Sequence, residues 1–412
     1  MDGSGVYARS VETRTSWIVA MVSLVVLSVS YGAPLTVVVA LKPIADEFGA
    51  ARSAPALAVG LTFIGAGCGG IAMGWLAERI GVRWVVLFGG TMIGAGLTIS
   101  SLGGLTQLYI SSFLFVGLLG ASGMFAPLMT YVSRWFDRRR GTAIALISAG
   151  QYVAGALWPM LFQVGVNTIG WRHTMLAYAV FVVVVILPLG AIYLRPPPDA
   201  AALGSIHGEP RAGEPVLGLP PNLVLAALAF ATFCCCATMS MPMSHMVAFC
   251  SDIGIAPTQG AAMLSVLLVS AFFARQFWGW LADRIGGLRT ILWASAAQAT
   301  AMTGYLLTQD EIGLFTISAV FGFGFGGLIP GYVLAVRELF PASEASWRIP
   351  TMLFPGSLGM AAGGWLAGVM YDHFAFYAPA FAVGVAFNLL NLAVIGALVM
   401  RHRPMRLAPA IG

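Results

Sequence analysis

Charge is what this chain of 412 residues has least of: Asp, Glu, Lys and Arg together make up 9%, against roughly 25% in an ordinary soluble domain. Lysine occurs once, at Lys42. A water-facing surface and an electrostatic nucleic-acid footprint both need far more charge, which excludes a soluble enzyme, a disordered chain and a nucleic-acid partner. With no G-x-x-x-x-G-K-[ST] run either, the chain cannot drive transport by its own ATP hydrolysis. Five cysteines, Cys68, Cys234, Cys235, Cys236 and Cys250, form no disulfide framework, since neighbours in a run cannot bridge without strain. No His or carboxylate stands near them at ligand spacing, so neither a metal nor a cofactor is expected.

Apolar residues dominate instead, at 59% of the chain. That is close to what a dozen helices of about 20 residues would consume. Runs between charges place twelve transmembrane helices near 17–41, 53–76, 84–103, 107–133, 141–166, 173–194, 223–250, 258–281, 288–308, 312–336, 347–371 and 375–400. The first run is too long for a cleavable signal peptide and reaches Lys42 without an A-x-A site. The 50 glycines point to closely packed helices, because small residues let membrane helices approach.

One long polar stretch, Arg195 to Pro221, is rich in Pro and Gly and reads as a linker. It divides the chain into a six-helix N-terminal bundle, 1–194, and a six-helix C-terminal bundle, 222–412. Placing the N-terminus inside puts 17 of the 21 basic residues on the inner side, so both termini and the linker are expected to be cytoplasmic. The fold class is then an all-α membrane protein made of two six-helix bundles in the lipid bilayer, and a monomer is expected to suffice.

Gly74-Trp75-Leu76-Ala77-Glu78-Arg79-Ile80-Gly81 recurs as Gly279-Trp280-Leu281-Ala282-Asp283-Arg284-Ile285-Gly286. Each copy closes the second helix of its half, so the halves read as parallel repeats. Glycine permits the sharp turn that ends each copy. At these residues the chain resembles the major facilitator superfamily, whose loop motif reads G-x-L-a-[DE]-R-x-G-r-[RK]. The resemblance implies two bundles that rock about a central site, with Glu78, Arg79, Asp283 and Arg284 acting as cytoplasmic gating latches.

Narrower signals are Ser30-Tyr31-Gly32-Ala33-Pro34, Glu47-Phe48-Gly49-Ala50-Ala51-Arg52-Ser53, Trp135-Phe136 through Arg140-Gly141-Thr142-Ala143, and Ala274-Arg275-Gln276-Phe277-Trp278-Gly279. Together they resemble the monocarboxylate transporter family, to which the bacterial oxalate/formate antiporters are related. The resemblance implies a small organic anion as substrate and protons as a coupling partner. It departs from the animal-type pattern at Leu35, where lysine is usual, and at Ala271, where aspartate is usual.

All 16 acidic residues fall outside or at the ends of the expected spans, which leaves Arg275 as the one fixed charge at membrane depth. Placing an arginine there costs about 2.5–3.5 kcal/mol on insertion scales, and such residues are ordinarily paired or functional. Its planar fork suits a carboxylate, and the matching arginine of the resembling family binds substrate. The alternative is that it snorkels to the cytoplasmic interface. With Thr351-Met352-Leu353-Phe354-Pro355-Gly356 uncharged, a monoanion balances the site better than a dianion.

His245 is either a proton-titrating substrate contact or a structural histidine near the outer face. Tyr31, Gln151 and Tyr332 are expected to offer orienting hydrogen bonds, and Phe125 and Leu35 to line the cavity. Glycines and prolines interrupt the fourth and tenth helices at Gly117, Gly120, Gly123 and Pro127, and at Gly322, Gly324, Gly326, Gly327 and Pro330. Interrupted helices at matching repeat positions point to a binding site and to gating bends. The sequence thus reads as a proton-coupled symporter of lactate- or pyruvate-like monocarboxylates working by alternating access. Rival readings are an organic anion exchanger of the oxalate/formate kind and an exporter of small hydrophobic compounds. A membrane-embedded enzyme would need clustered His, Asp or Glu at helical spacing, which the sequence does not have.

Overall fold

A segment crossing about 30 Å of hydrocarbon must bond its backbone internally, which leaves the helix as the simplest solution. The computed structural model describes residues 12–136, 140–195 and 216–401 and is helical nearly throughout. Most of the linker, with Asp137, Arg138, Arg139 and both chain ends, lies outside the described residues. In the N-terminal part the helices are α1 (Arg14–Val39), α2 (Leu41–Glu47), α3 (Ser53–Ile80), α4 (Val82–Leu102), α5 (Leu105–Ile110), α6 (Phe125–Ser133), α7 (Arg140–Ser148) and α8 (Gly150–Tyr193). Those that follow the linker are α9 (Pro221–Asp252), α10 (Pro257–Ile285), α11 (Gly287–Leu307), α12 (Glu311–Gly326), α13 (Leu328–Leu339), α14 (Ala342–Phe374) and α15 (Ala378–Arg401).

Among the described residues ten stretches are long and apolar enough to cross a membrane. The stretch Leu146–Tyr193 is two crossings joined end to end, because Gly170 leaves the helical region with φ 79° and ψ 163°. The twelfth is α11, 21 residues long, whose apolar run is diluted by Arg289, Gln298 and several hydroxyl residues. Gly81 and Gly286, which end the two copies of the repeated octapeptide, adopt almost the same conformation, with φ of 90° and 82°. Only glycine visits that region without strain, so the two halves turn alike for a reason legible in the repeat.

The chain divides into two compact units, Met1–Ala50 with Ala54–Ile206, and Ala51–Ser53 with His207–Gly412. In the first, α1 packs along α8. Pro34 removes one backbone donor from the middle of α1. Nearby carbonyls take side-chain donors from α8: Trp158 Nε1 donates to Ser28 O at 2.9 Å and the Tyr178 hydroxyl to Val29 O at 2.7 Å. At the far end of α4 from Gly81, Arg172 donates to Glu47 and to the carbonyls of Ser101 and Gly103, so one guanidinium pins α2, the end of α4 and the second limb of α8. Burial pushes the Glu47 carboxyl up, but the hydrogen bonds from Arg172 and Trp171 outweigh it and hold the group below its ordinary value.

In the second unit, α10 packs on α12 at backbone distance. A Cβ built on Gly322 would lie 1.9 Å from Leu267 O, an atom that cannot yield. Gly279, on the outside of the same α10, has no neighbour within 4 Å of such an atom.

Two outcomes follow. Gly322→Val should cost at least about 1–3 kcal/mol by overpacking. Gly279→Ala should be neutral or slightly stabilising, by up to about 1 kcal/mol. Thermal unfolding in detergent compares the two. Because Glu47 is depressed in the fold, its contribution is complete above the ordinary glutamate value of about 4.3 and is lost as pH falls through the lower folded value. Arg172→Gln should therefore flatten the acid limb of the stability profile, which melting at a series of acid pH values would show.

Candidate functional site

Arg275 lies ten residues before the end of α10, about 15 Å along the axis, and eighteen after its start, about 27 Å. It is half-buried. The turn that carries it packs on a break in the neighbouring crossing. Gly326, the last residue of α12, sits against Ala271 O and Ala274 Cβ, and Trp278 closes over Gly327. Trp278 Nε1 donates to Phe323 O at 2.7 Å, fixing this register. The arginine is thus held level with the junction of α12 and α13.

The first unit has a matching interruption. Between α5 and α6 the chain winds as a π-helix over Ser111–Gly120 and as a 3-10 turn over Ala121–Gly123. A π-segment is uncommon and is found frequently at functional sites. Phe125, the first residue of α6, packs edge-on against Tyr31 of α1, with ring centroids 6.3 Å apart. Leu35 lies one turn further along α1 and is half-buried, as are Tyr31, Phe125 and, near the start of α8, Gln151. The structure therefore brings Tyr31 and Phe125 together.

Tyr332 and His245 have other partners. Tyr332 is fully buried, and its hydroxyl donates to Asn391 Oδ1 at 2.6 Å. From there a chain of side chains continues through α11 and α15: Asn391 donates to Ser295, Ser295 to Asn388, and Asn388 to Gln298. Such amide pairing between membrane helices holds them together. His245 is also fully buried. Its Nε2 lies 2.8 Å from Gly364 O and its Nδ1 3.0 Å from the Tyr377 hydroxyl, so both ring nitrogens are taken by protein groups. Both bonds fit the structural alternative that the sequence left open for His245.

In the repeated motif, Glu78 is 4.0 Å from Arg134 and both are exposed, a pairing worth little in water. Arg79 and Arg284 instead stack on the tryptophan one turn earlier, each 3.9 Å from the ring of Trp75 or Trp280. The Asp283 side chain lies outside what the structure describes.

Sequence reasoning missed a cluster around Arg52, which it named only as part of the Glu47–Ser53 motif. Arg52 forms a two-pronged pair with Asp252 at the end of α9, donates to the Tyr377 hydroxyl at 3.1 Å, and lies 3.8 Å over the Tyr371 ring. Asp372 accepts the backbone N–H groups of Arg52 and Ser53 at 2.8 and 3.0 Å. Burial works to lower the Arg52 pKa, but the bond to Asp252 and the Tyr377 contact overcome it, and the group is held firmly charged. The signal in the sequence was the pair of acidic residues, Asp252 and Asp372, closing the outer ends of two spans.

Removing the Tyr332 hydroxyl tests the buried chain: Tyr332→Phe should lower stability by about 1–3 kcal/mol, the cost of stranding Asn391. Combined with Asn391→Ala it should cost less than the two changes separately, which melting curves of the three variants would show.

The chain is similar to monocarboxylate transporter 13 of Bos taurus, 27% identical over 334 residues that cover 78% of this chain and 74% of that one. It is likewise similar to monocarboxylate transporter 11 of Mus musculus, 28% identical over 368 residues covering 84% and 71%. Among solved structures, an inward-facing, occupied bacterial homologue of the human lysosomal transporter Spinster superposes with a TM-score of 0.73 at 14% identity, covering 95% of this chain and 97% of the other. The model of the Major Facilitator Superfamily matches residues 16–227 and again 227–410. Two successive matches spanning nearly the whole length agree with two units that turn alike at Gly81 and Gly286, and the chain belongs to the Major Facilitator Superfamily, a multi-pass membrane transport protein.

Proposed function

We propose that this protein carries small monocarboxylates of the lactate and pyruvate kind across a cell inner or plasma membrane, coupled to protons and by alternating access, with both termini cytoplasmic. The observation that carries the reading is Arg275, held about 15 Å from the end of α10 beside the α12/α13 junction. A guanidinium there offers two parallel donors to a carboxylate, and the low-dielectric surroundings strengthen the bond. The similarity to two monocarboxylate transporters supports the same class of cargo. One positive charge, with Thr351–Gly356 uncharged, matches one negative charge.

Tyr31 and Phe125, which meet within the first unit, keep their assignment as substrate-contacting residues, as do Leu35 and Gln151. Tyr332 supports the helices that frame the site. Glu78, Arg79, Asp283 and Arg284 keep their assignment to the cytoplasmic gate, where the stacked arginines position the ends of α3 and α10.

Uptake into proteoliposomes tests the reading. Losing a buried charge-assisted pair costs about 2 kcal/mol or more. Arg275→Ala should then reduce the kcat/KM of lactate or pyruvate uptake by about 30-fold or more, with the fold intact by melting. Undiminished saturable uptake by that variant would remove Arg275 from the site. Thermal stabilisation of the wild-type protein should be given by monocarboxylates; stabilisation by lipophilic cations or sugars alone would overturn the cargo class. Uptake that needs internal oxalate or formate and ignores a pH gradient would replace symport by exchange.

A further inference from the structure

The hydrogen bonds around His245 fix where every proton sits. Gly364 O can only accept, so His245 Nε2 carries the hydrogen of that 2.8 Å bond. In the neutral ring Nδ1 is then a lone pair, and the Tyr377 hydroxyl donates to it across 3.0 Å. The hydroxyl oxygen in turn accepts from Arg52 Nη1 at 3.1 Å. A directed chain thus runs from Arg52 through Tyr377 to a sealed imidazole. Its outer end is partly open, with the side chains of Arg52 and Asp252 11% and 20% exposed. Its inner end is wholly buried.

A second proton on His245 has one place to go, Nδ1, and one route, the Tyr377 hydroxyl. The hydroxyl hands its own hydrogen to Nδ1 and takes another from a water-borne proton on its outer side; no other bond is made or broken. Arg52 Nη1 occupies the lone pair that would receive that replacement proton. Its charge also opposes an imidazolium one hydrogen bond away. When Arg52 leaves, the Tyr377 oxygen is opened, and Asp252 and Asp372 remain as uncompensated negative charge that favours the cation. The charged and titratable groups around His245 are Tyr377, Tyr371 and Asp372 from the α14–α15 corner, Asp252 at the end of its own helix, and Arg52.

We propose that His245 is a proton-binding site whose filling alternates with the seating of Arg52. Protonation of the imidazole and release of the segment Ala51–Ser53 are then linked, each favouring the other by the same free energy. Under the transport reading above, this is the coupling proton. The geometry itself does not depend on the identity of the cargo.

The test is the titration of His245 in protein labelled with 15N-histidine, its signals assigned by their disappearance in His245→Gln, from about pH 8 to about pH 5. The wild type should show the neutral ring with hydrogen on Nε2. Arg52→Gln should raise the midpoint by one pH unit or more, about tenfold in proton affinity. Arg52→Lys, which keeps the charge, should stay nearer the wild type and guards against misreading a folding defect. In Tyr377→Phe the response to Arg52→Gln should shrink, because only the charge of Arg52, and not its bond to the hydroxyl, then acts on His245. An unmoved midpoint in Arg52→Gln, or a wild-type ring with its hydrogen on Nδ1, overturns the proposal. Acid-stimulated lactate uptake read on the same proteins separates the two readings. Uptake with an unmoved midpoint sinks the proton site and leaves the cargo standing. A moved midpoint with no carboxylate carried does the reverse.

Discussion

A hydrocarbon layer accepts no hydrogen bonds, and nearly every arrangement described above is an answer to that single demand. Backbone groups close on themselves in helices. Pro34 takes one donor out of the ladder of α1, and within the same two turns Trp158 and Tyr178 from α8 spend their own donors on the carbonyls of Ser28 and Val29. The amides of Asn388 and Asn391, which lipid would leave stranded, find Gln298 and Ser295 on α11. With no hydrophobic drive between helices in lipid, what remains is closeness, which is why α10 and α12 meet backbone to backbone at Gly322.

Charge obeys the same demand and reveals its purpose by where it is tolerated. Beside helix ends Arg172 and Arg52 each gather several acceptors and tie separate segments together. At the ends of α3 and α10 Arg79 and Arg284 lie flat on tryptophan rings, a position suited to the boundary between lipid and water. Arg275 is placed differently from all of these, half-buried within a span and about ten residues from the end of its helix.

Much of this was legible before any coordinates. The spans followed from apolar run length, and the turns at Gly81 and Gly286 from a repeated octapeptide whose final residue alone can adopt the conformation. The interruptions of the fourth and tenth crossings were visible as clusters of glycine and proline. What could not be read was rotation about each helix axis. Sequence gives the depth of Tyr332 and His245 but not the direction they face, and both turn into the interior of their own unit toward Asn391 and Gly364. Tyr31 and Phe125 do meet, across helices whose relative rotation no run of apolar residues encodes. Arg52 was hidden for another reason. Its partners Asp252, Asp372 and Tyr377 lie 200 to 325 positions away in the chain, a separation at which local pattern carries no information.

The π-helical stretch Ser111–Gly120 has a consequence for reading the family as a whole. A π-turn holds an extra residue within the same length of axis, so everything after it is offset from the face that an α-helical count would assign. A relative lacking one residue in this helix can present the same side chains to the same neighbours simply by winding as plain α-helix. Insertions and deletions are usually banished to loops in aligning such proteins; here a one-residue gap within a membrane span is the structurally correct placement.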